Sequence, residues 1–303
     1  MNREKRTYSG KLLDVDFYPV FSDGRRIPSK APKTKRSTAE QEKYNHNKAV
    51  RDFVRKANAN FDERDYFMHP TFIPALAPQD RDEAKRILSN YLARVRRRRE
   101  SELKKAERAL AAMPKRDALK EQRHQLKEKI KALKRPMKYA YTIEQVTYKT
   151  GERKGRVNWH YHLFITGGLD DRTMERMWDK GVRVNADNFQ PERFGPEAAA
   201  KYMLKSIPQA GQRKYICSRN MTPPRVPDPS KRDGRTSNRQ LEHWAKERID
   251  DAAFWERRYK GYRFVRCFAR KNPFNGHWYL SVIMYRTDSD PPPWALEDWG
   301  VYE

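Results

Sequence analysis

The run from Val157 to Thr166 is the feature that most constrains how this chain can fold. Its β-branched and aromatic residues predict a strand. Side chains alternate along a strand, so His160 and His162 are expected on one face and Tyr161 on the other. Two imidazoles about 7 Å apart, twice the ~3.3 Å rise per residue, can bind one divalent metal ion. The competing interpretation is a histidine pair that serves only packing.

The strand has a predicted partner immediately upstream. Residues Met137–Val146 alternate between apolar and polar side chains, which is typical of a strand. The stretch Lys149–Gly155 between the two strands is rich in turn-forming residues. The sequence therefore predicts a β-hairpin that carries the two histidines.

A second segment with chemical potential lies about 40 residues downstream. A helix is predicted over Pro196–Ile207, with proline near its first turn. Tyr202 and Lys205 are three residues apart and share a helix face, and Lys201 flanks the same region. A phenol with a pKa of about 10 is a poor nucleophile. Attack on a phosphate would therefore need a metal ion and a nearby ammonium. The competing interpretation of Tyr202 is a core aromatic that packs beside Leu204.

The charge of the chain indicates its class of partner. The 303 residues include 66 Lys and Arg against 40 Asp and Glu, a formal net charge of +26. Nucleic acid is the partner that best matches such an excess, although a ribosome-associated basic protein has the same composition. Cys217 and Cys267 are the only cysteines, which excludes a disulfide framework and zinc-knuckle spacing. With no apolar run of ~20 residues and no signal-peptide pattern, a cytoplasmic protein without membrane contact is expected.

The organisation of the chain is predicted from breaks in pattern. Residues 1–40 are expected to be a basic N-terminal arm with one short strand at Leu12–Val20, residues 41–287 one domain, and residues 288–303 a C-terminal tail. Leucines seven residues apart lie on both sides of Pro114. They predict an antiparallel helical hairpin inserted at about residues 100–135. Its role is open between a solvated spacer and a protein-docking arm.

The order of these motifs resembles a known family. A strand with His-hydrophobic-His, followed by a helix with Tyr-x-x-Lys, is similar to the HUH replication initiators of rolling-circle elements. The closer similarity is to the replication-associated proteins of small single-stranded DNA phages and bacterial mobile elements. The resemblance extends from about residue 45 to 287. It rests on these segments: Tyr139–Glu144, Asn158–Ile165, Gly181–Asn185, Lys201–Lys205, Cys217–Asn220 and Asn275–Tyr285.

The resemblance implies a fold and a metal site. The fold is α+β, an antiparallel sheet of the RNA-recognition type with flanking helices, here with the inserted hairpin. A third metal ligand is implied on a neighbouring strand, and Glu144 is the expected residue, with Gln145 directed to the opposite face. Two imidazoles and a carboxylate suit Mg²⁺ or Mn²⁺. His69, followed by Pro70, departs from the family's first motif, and its role is open between an additional ligand, an origin contact and packing.

The resemblance also implies a reaction. Tyr202 attacks a phosphate of single-stranded origin DNA, which leaves a 5′-phosphotyrosine and a free 3′-OH. Lys205 orients the phosphate or lowers the pKa of the phenol. The 3′-OH primes a host DNA polymerase working with a host helicase in the bacterial cytoplasm, and a reverse attack rejoins the strand.

Basic and aromatic residues are the expected DNA contacts. The basic candidates are Arg219, Lys201, Arg96, Arg97, Arg98 and Arg99, and the aromatic candidates for base stacking include Trp278 and Tyr279. Two other interpretations remain. One is an HUH relaxase or transposase, although relaxases place the tyrosine ahead of the histidines. The other is a non-enzymatic basic protein that binds single-stranded nucleic acid.

Overall fold

The computed structural model describes residues 1–21, 39–147, 150, 154–155, 157–181, 186–188, 195–205, 213–273 and 275–286. These residues form an α+β protein with two antiparallel sheets, in agreement with the predicted fold class. The strands are β1 (Asn2–Ser9), β2 (Leu12–Pro19), β3 (Tyr66–Met68), β4 (Tyr139–Thr147), β5 (Val157–Ile165), β6 (Ala186–Asn188), β7 (Ile216–Cys217), β8 (Tyr262–Lys271) and β9 (Trp278–Arg286). The helices are α1 (Ala39–Asn58), α2 (Arg81–Ala112), α3 (Lys120–Lys134), α4 (Asp171–Arg176), α5 (Gly195–Met203), α6 (Asn238–Glu247) and α7 (Ala252–Arg258).

The chain divides into two compact units. Unit 1 comprises Met1–Asn60, Pro191–Lys201 and Thr222–Glu303, and unit 2 comprises Phe61–Gln190 and Tyr202–Met221. This division differs from the single domain expected over residues 41–287. Local periodicity identifies elements, but long-range strand pairing decides which of them share a core. The proposed tail at 288–303 and most of the Gly181–Asn185 segment lie outside the described residues.

Unit 2 is built around a five-stranded sheet in the order β6-β3-β5-β4-β7. The predicted hairpin of β4 and β5 is confirmed and forms its centre. Tyr161 is completely buried in a core shared with α2, and its hydroxyl donates to the carbonyl of Ala84 at 2.7 Å. Because side chains alternate, His160 and His162 are carried on the opposite face. The helix thus covers one face of the sheet and leaves the histidine face for another purpose.

The helical hairpin is confirmed, with its turn at Met113 and Pro114. Helix α2 is continuous from Arg81 to Ala112, so a single helix first packs on the sheet and then forms the first arm of the hairpin with α3. The residues of α2 that are buried against the sheet are Ala84, Leu88, Tyr91, Leu92 and Val95, and Ile87 is partly buried beside them. Ile130 and Leu133 of α3 are buried.

Arg99 was expected to contact DNA, but its side chain is buried. Its side chain is 4% exposed, whereas Arg96, Arg97 and Arg98 are exposed. The Arg99 guanidinium donates to four backbone carbonyls near the base of the hairpin, those of Thr166, Ala132, Leu133 and Arg135, at 2.8–3.4 Å. On a helix that packs on one side, about one residue in every three or four faces inward. In this basic run that residue is Arg99, which links α2 to the chain after α3.

We expect Arg99→Met to destabilise the protein by about 2–4 kcal/mol, because several buried carbonyls would lose their donors. The matched control is Arg97→Met, an exposed position on the same helix, which is expected to change the free energy of unfolding by less than about 0.5 kcal/mol. Urea denaturation of both variants measures the difference. Equal stability of the two variants would contradict the structural role of Arg99.

Unit 1 contains a four-stranded sheet in the order β1-β2-β9-β8. Residues 2–19, assigned above to a basic arm, form the hairpin of β1 and β2, and β2 corresponds to the short strand expected at Leu12–Val20. Leu13, Val15 and Phe17 are buried in a core with α6 and α7, so the hairpin is an integral part of this unit. The four consecutive charged residues from Arg3 to Arg6 conceal the alternation that makes this segment a strand pair.

Two further features of the described helices complete the fold. The segment from Asn238 to Arg258 forms two helices, α6 and α7, separated at Arg248–Asp251, where the Asp251 side chain caps α7. None of the described helices combines the length and the apolar character required to cross a membrane.

Candidate active site

Three side chains on the face of the unit 2 sheet opposite α2 form a group that could hold a metal ion. Glu144 of β4 lies directly opposite His160 of β5 in the strand register, and His162 follows two residues later on the same face. Nε2 of His160 lies 2.9 Å, and Nε2 of His162 2.8 Å, from the same Glu144 Oε2. Candidate ligand atoms of all three residues lie within 4.8 Å of one another. The expected placement of Glu144 beside the histidine pair is confirmed.

The protonation states suit metal binding. Burial lowers the pKa of His162 to about 4, even though its hydrogen bond with Glu144 acts in the opposite direction. Burial raises the pKa of the Glu144 carboxyl, but the hydrogen bond from His162 and the charges of His160 and Lys205 outweigh it and bring the pKa below its usual value. At neutral pH the site therefore presents an ionised carboxylate and, at His162, a neutral imidazole, the forms that bind metal ions.

The donor set fits a divalent cation. An antiparallel strand pair holds the three side chains, so little conformational entropy remains to be lost when an ion binds. Nδ1 of both histidines is buried without a hydrogen-bond partner among the described residues. The two imidazoles are therefore oriented by the strand register and by Glu144. One carboxylate oxygen with two converging imidazole nitrogens is an arrangement typical of metal ligands.

Tyr202 lies beside this group. Its ring centroid is 4.9 Å from that of His162, with the rings nearly perpendicular at 82°. Tyr202 is 45% exposed, whereas its neighbours Met203 and Leu204 are buried. Helix α5 thus anchors itself through the apolar neighbours and presents the tyrosine to solvent, which rules out a core role for Tyr202.

Lys205 connects the tyrosine to the carboxylate. Its Nζ lies 4.1 Å from the centroid of the Tyr202 ring and 3.7 Å from Glu144 Oε2. Helix α5 ends at Met203 rather than at Ile207, and residues 206–212 are outside the described part. The Lys205 amide nevertheless donates to the carbonyl of Tyr202 at 3.2 Å, so a tight turn keeps the two side chains together. The predicted proximity of Tyr202 and Lys205 is confirmed, although its cause is a turn and not a continuing helix.

His69 is a further residue of this surface. Its ring centroid lies 5.1 Å from that of His162 and 6.2 Å from that of Tyr202. Burial lowers the pKa of His69, which favours the neutral imidazole. It follows β3, which ends at Met68, and the next residue Pro70 accepts a hydrogen bond from the amide of Tyr161. His69 is outside the three-residue ligand group, and its place beside Tyr202 is a result of tertiary pairing.

The residues expected to contact DNA differ in their ion pairs and in the unit to which they belong. Arg219 of unit 2 is exposed, next to Ser218, whose amide donates to the carbonyl of Tyr139 at the start of β4. Arg96 and Arg97 are exposed on α2 without ion pairs to described residues, whereas Arg98 pairs with Glu102 at 3.2 Å. Lys201 belongs to unit 1 and is considered below with that unit.

Comparison of the chain with family models, with curated proteins and with solved structures finds no match in any of the three. The geometry of the site and the motif order in the sequence therefore carry the functional argument.

Proposed function

We propose that the protein is a metal-dependent DNA strand transferase of the HUH type, which initiates rolling-circle replication by nicking single-stranded origin DNA. The observation that carries this proposal is an exposed tyrosine, Tyr202, whose ring lies 4.9 Å from a histidine of the Glu144–His160–His162 group. A nucleophile of high intrinsic pKa, a cation and a metal-binding group are thus present on one surface. A candidate metal group on one face of an antiparallel sheet, with α2 on the other face, is also what the resemblance to the HUH fold implies.

The proposed chemistry is a transesterification. The phenolic oxygen of Tyr202 forms a bond to phosphorus while the bond from phosphorus to the 3′ oxygen breaks. The phenol releases its proton to water, and the leaving 3′ oxygen takes one up. A divalent ion, with Mg²⁺ and Mn²⁺ suited to the donor set of Glu144, His160 and His162, polarises the phosphate when bound.

Lys205 has two functions in this proposal. Its ammonium lies against the Tyr202 ring and stabilises the phenolate that develops during attack. The same ammonium is half exposed and lies 3.7 Å from Glu144 Oε2, close enough to the three candidate ligands to orient a phosphate oxygen. Glu144 holds the two imidazoles in one orientation through its shared oxygen.

The products account for a role in replication. The 5′-phosphotyrosine keeps the energy of the broken phosphodiester, so a later attack by a 3′-OH rejoins the strand without ATP. The free 3′-OH is a primer for a host polymerase, with a host helicase opening the duplex. Exposed arginines such as Arg219, Arg96 and Arg97 would contact phosphates and position the strand without reading its sequence.

The test is covalent capture. Single-stranded fragments that tile the replicon carrying this gene are labelled at either end and incubated with the protein and Mg²⁺ or Mn²⁺. We expect one fragment to give a protein adduct that retains the 3′-end label and withstands denaturation. The 5′-labelled piece should be released with a 3′-OH that a polymerase extends. EDTA should prevent both. An adduct that retains the 5′ label, or no adduct with any fragment, would contradict the proposal.

A further inference from the structure

Unit 1 contains a wide groove of its own, which is larger than a typical pocket for a small ligand. It is lined by residues of α1 and of all four strands of the sheet, and its volume is about 1320 Å³. Pockets for small ligands are typically ~300–1,000 Å³. The groove is open along the sheet, so its size and shape fit a segment of a polymer better than a compact ligand.

The groove is lined by more basic than acidic groups. Six basic side chains and two carboxylates line it among the described residues. The two carboxylates, Asp14 and Asp16, already have partners: Arg55 lies 2.8 Å from the first and 3.1 Å from the second, and Arg51 lies 3.7 Å from Asp16. The acidic charge of the groove is thus compensated within the protein.

Three of the remaining basic groups are available to an anion. Lys5, Lys48 and Arg270 line the groove and make no ion pair with any described residue. Lys48 and Arg270 are exposed and Lys5 is half-buried. They come from three different elements, α1, β8 and β1, so the positive charge extends along the groove rather than forming a single point. Lys201 lines the same groove.

Aromatic side chains alternate with these charges. Tyr44 on α1 is 63% exposed and Phe21 is 56% exposed, and both line the groove. On the sheet, Tyr279 stands directly opposite Arg270 in the register of β8 and β9, and the half-buried Phe268 lies two residues before Arg270 on the same face. Large exposed aromatic faces beside unpaired cations are costly to leave in water and are typical of surfaces that stack bases.

We propose that this groove binds single-stranded DNA through residues other than those proposed for the tyrosine chemistry. The cations contact phosphates, and the aromatic rings stack on unpaired bases, which a duplex would keep hidden within its own stack. The choice of DNA over RNA rests on the proposed function, but single-strand binding by the groove does not. The site would hold a length of template without cleaving it.

The charge test uses full-length protein with Tyr202→Phe in EDTA, so that no cleavage takes place. Binding of a labelled oligothymidylate of about 16 nucleotides is measured by anisotropy over a range of salt. We expect the triple variant Lys5→Ala, Lys48→Ala, Arg270→Ala to bind roughly ten- to fiftyfold more weakly, with the slope of log affinity against log salt reduced by about 2.

The matched control removes three exposed basic residues of unit 1 that do not line the groove: Lys231→Ala, Arg239→Ala, Lys260→Ala. It makes the same change in net charge and is expected to change affinity by less than about threefold. Equal losses in the two triple variants, with both proteins folded by circular dichroism, would overturn the proposal, because binding would then follow net charge alone.

The stacking test uses Tyr44, which is exposed on a helix and therefore tolerant of substitution. Tyr44→Leu removes the aromatic face and should weaken binding roughly fivefold or more, whereas Tyr44→Phe keeps the face and should stay within about twofold. Equal affinity of the two variants would overturn the stacking role. A duplex of the same length bound as tightly as the single strand would overturn the proposed ligand, and so would tighter binding of oligouridylate.

The results of the binding tests do not depend on whether the protein nicks DNA. The groove assay contains no metal ion and no Tyr202 phenol, so a failed nicking experiment leaves it unaffected. Conversely, a groove triple variant that binds oligothymidylate as tightly as the control triple variant, while the wild-type protein forms a normal adduct, would overturn only the groove.

Discussion

Tyr202→Phe is expected to abolish the covalent adduct with single-stranded DNA while leaving DNA affinity nearly unchanged. The substitution removes only the phenolic oxygen, and the ring retains its contact with His162 and the Lys205 ammonium. Loss of the nucleophile of a covalent reaction is expected to reduce the rate on the order of 10⁴-fold or more. The measurement is the yield of labelled protein on a denaturing gel, with binding followed separately by anisotropy.

Tyr215→Phe is the matched control for this experiment. Tyr215 is a half-buried tyrosine of the same unit, ten residues beyond Lys205. Its replacement by Phe removes one hydroxyl group, as Tyr202→Phe does. It is expected to keep the wild-type yield of adduct. A normal adduct from Tyr202→Phe together with its loss in Tyr215→Phe would transfer the nucleophilic role to Tyr215.

His160→Ala and His162→Ala are expected to lose metal-dependent nicking, and Glu144→Ala to weaken it. Each histidine supplies one of the three donors that lie within 4.8 Å of one another. Loss of a metal that supplies several kcal/mol of charge stabilisation corresponds to a decrease of about a thousandfold in rate. Titration of the nicking rate with Mn²⁺, together with calorimetric Mn²⁺ binding, gives two independent measurements.

The control for the histidine variants is His243→Ala. His243 is an exposed histidine of α6 that pairs with Glu247, and its loss should leave both measurements unchanged. Because His162 is only 1% exposed, His162→Gln is included to keep most of the side-chain volume. If His162→Gln folds and retains wild-type Mn²⁺ affinity, the ligand group is wrong and His69 becomes the next candidate.

The histidine pair and its partner strand could be predicted from the sequence because their geometry is local, whereas the family resemblance supplied Glu144 as the third candidate ligand. Two histidines separated by one residue share a face of any regular strand, and the hairpin register brings Glu144 opposite His160 after a short connection. Nothing distant is needed to place these three side chains.

The positions of His69 and Arg99 could not be predicted from local sequence patterns. His69 reaches the site because the chain after β3 pairs along β5, more than 80 residues away in sequence. Arg99 is one of four consecutive arginines, and only the position of the hairpin base decides that this one is buried against carbonyls. Charge alone does not distinguish the four.

The elements with strong periodicity, and the histidine strand with its partner, follow from the sequence, because alternation and short hairpin connections are properties of backbone geometry. Three features follow only from the folded chain: residues 2–19 join β8 and β9 in one sheet, Tyr202 is exposed beside His162, and the groove of unit 1 combines residues that are distant in sequence. These results depend on pairings between distant segments, whose free energy comes from a shared core that no local window of sequence contains.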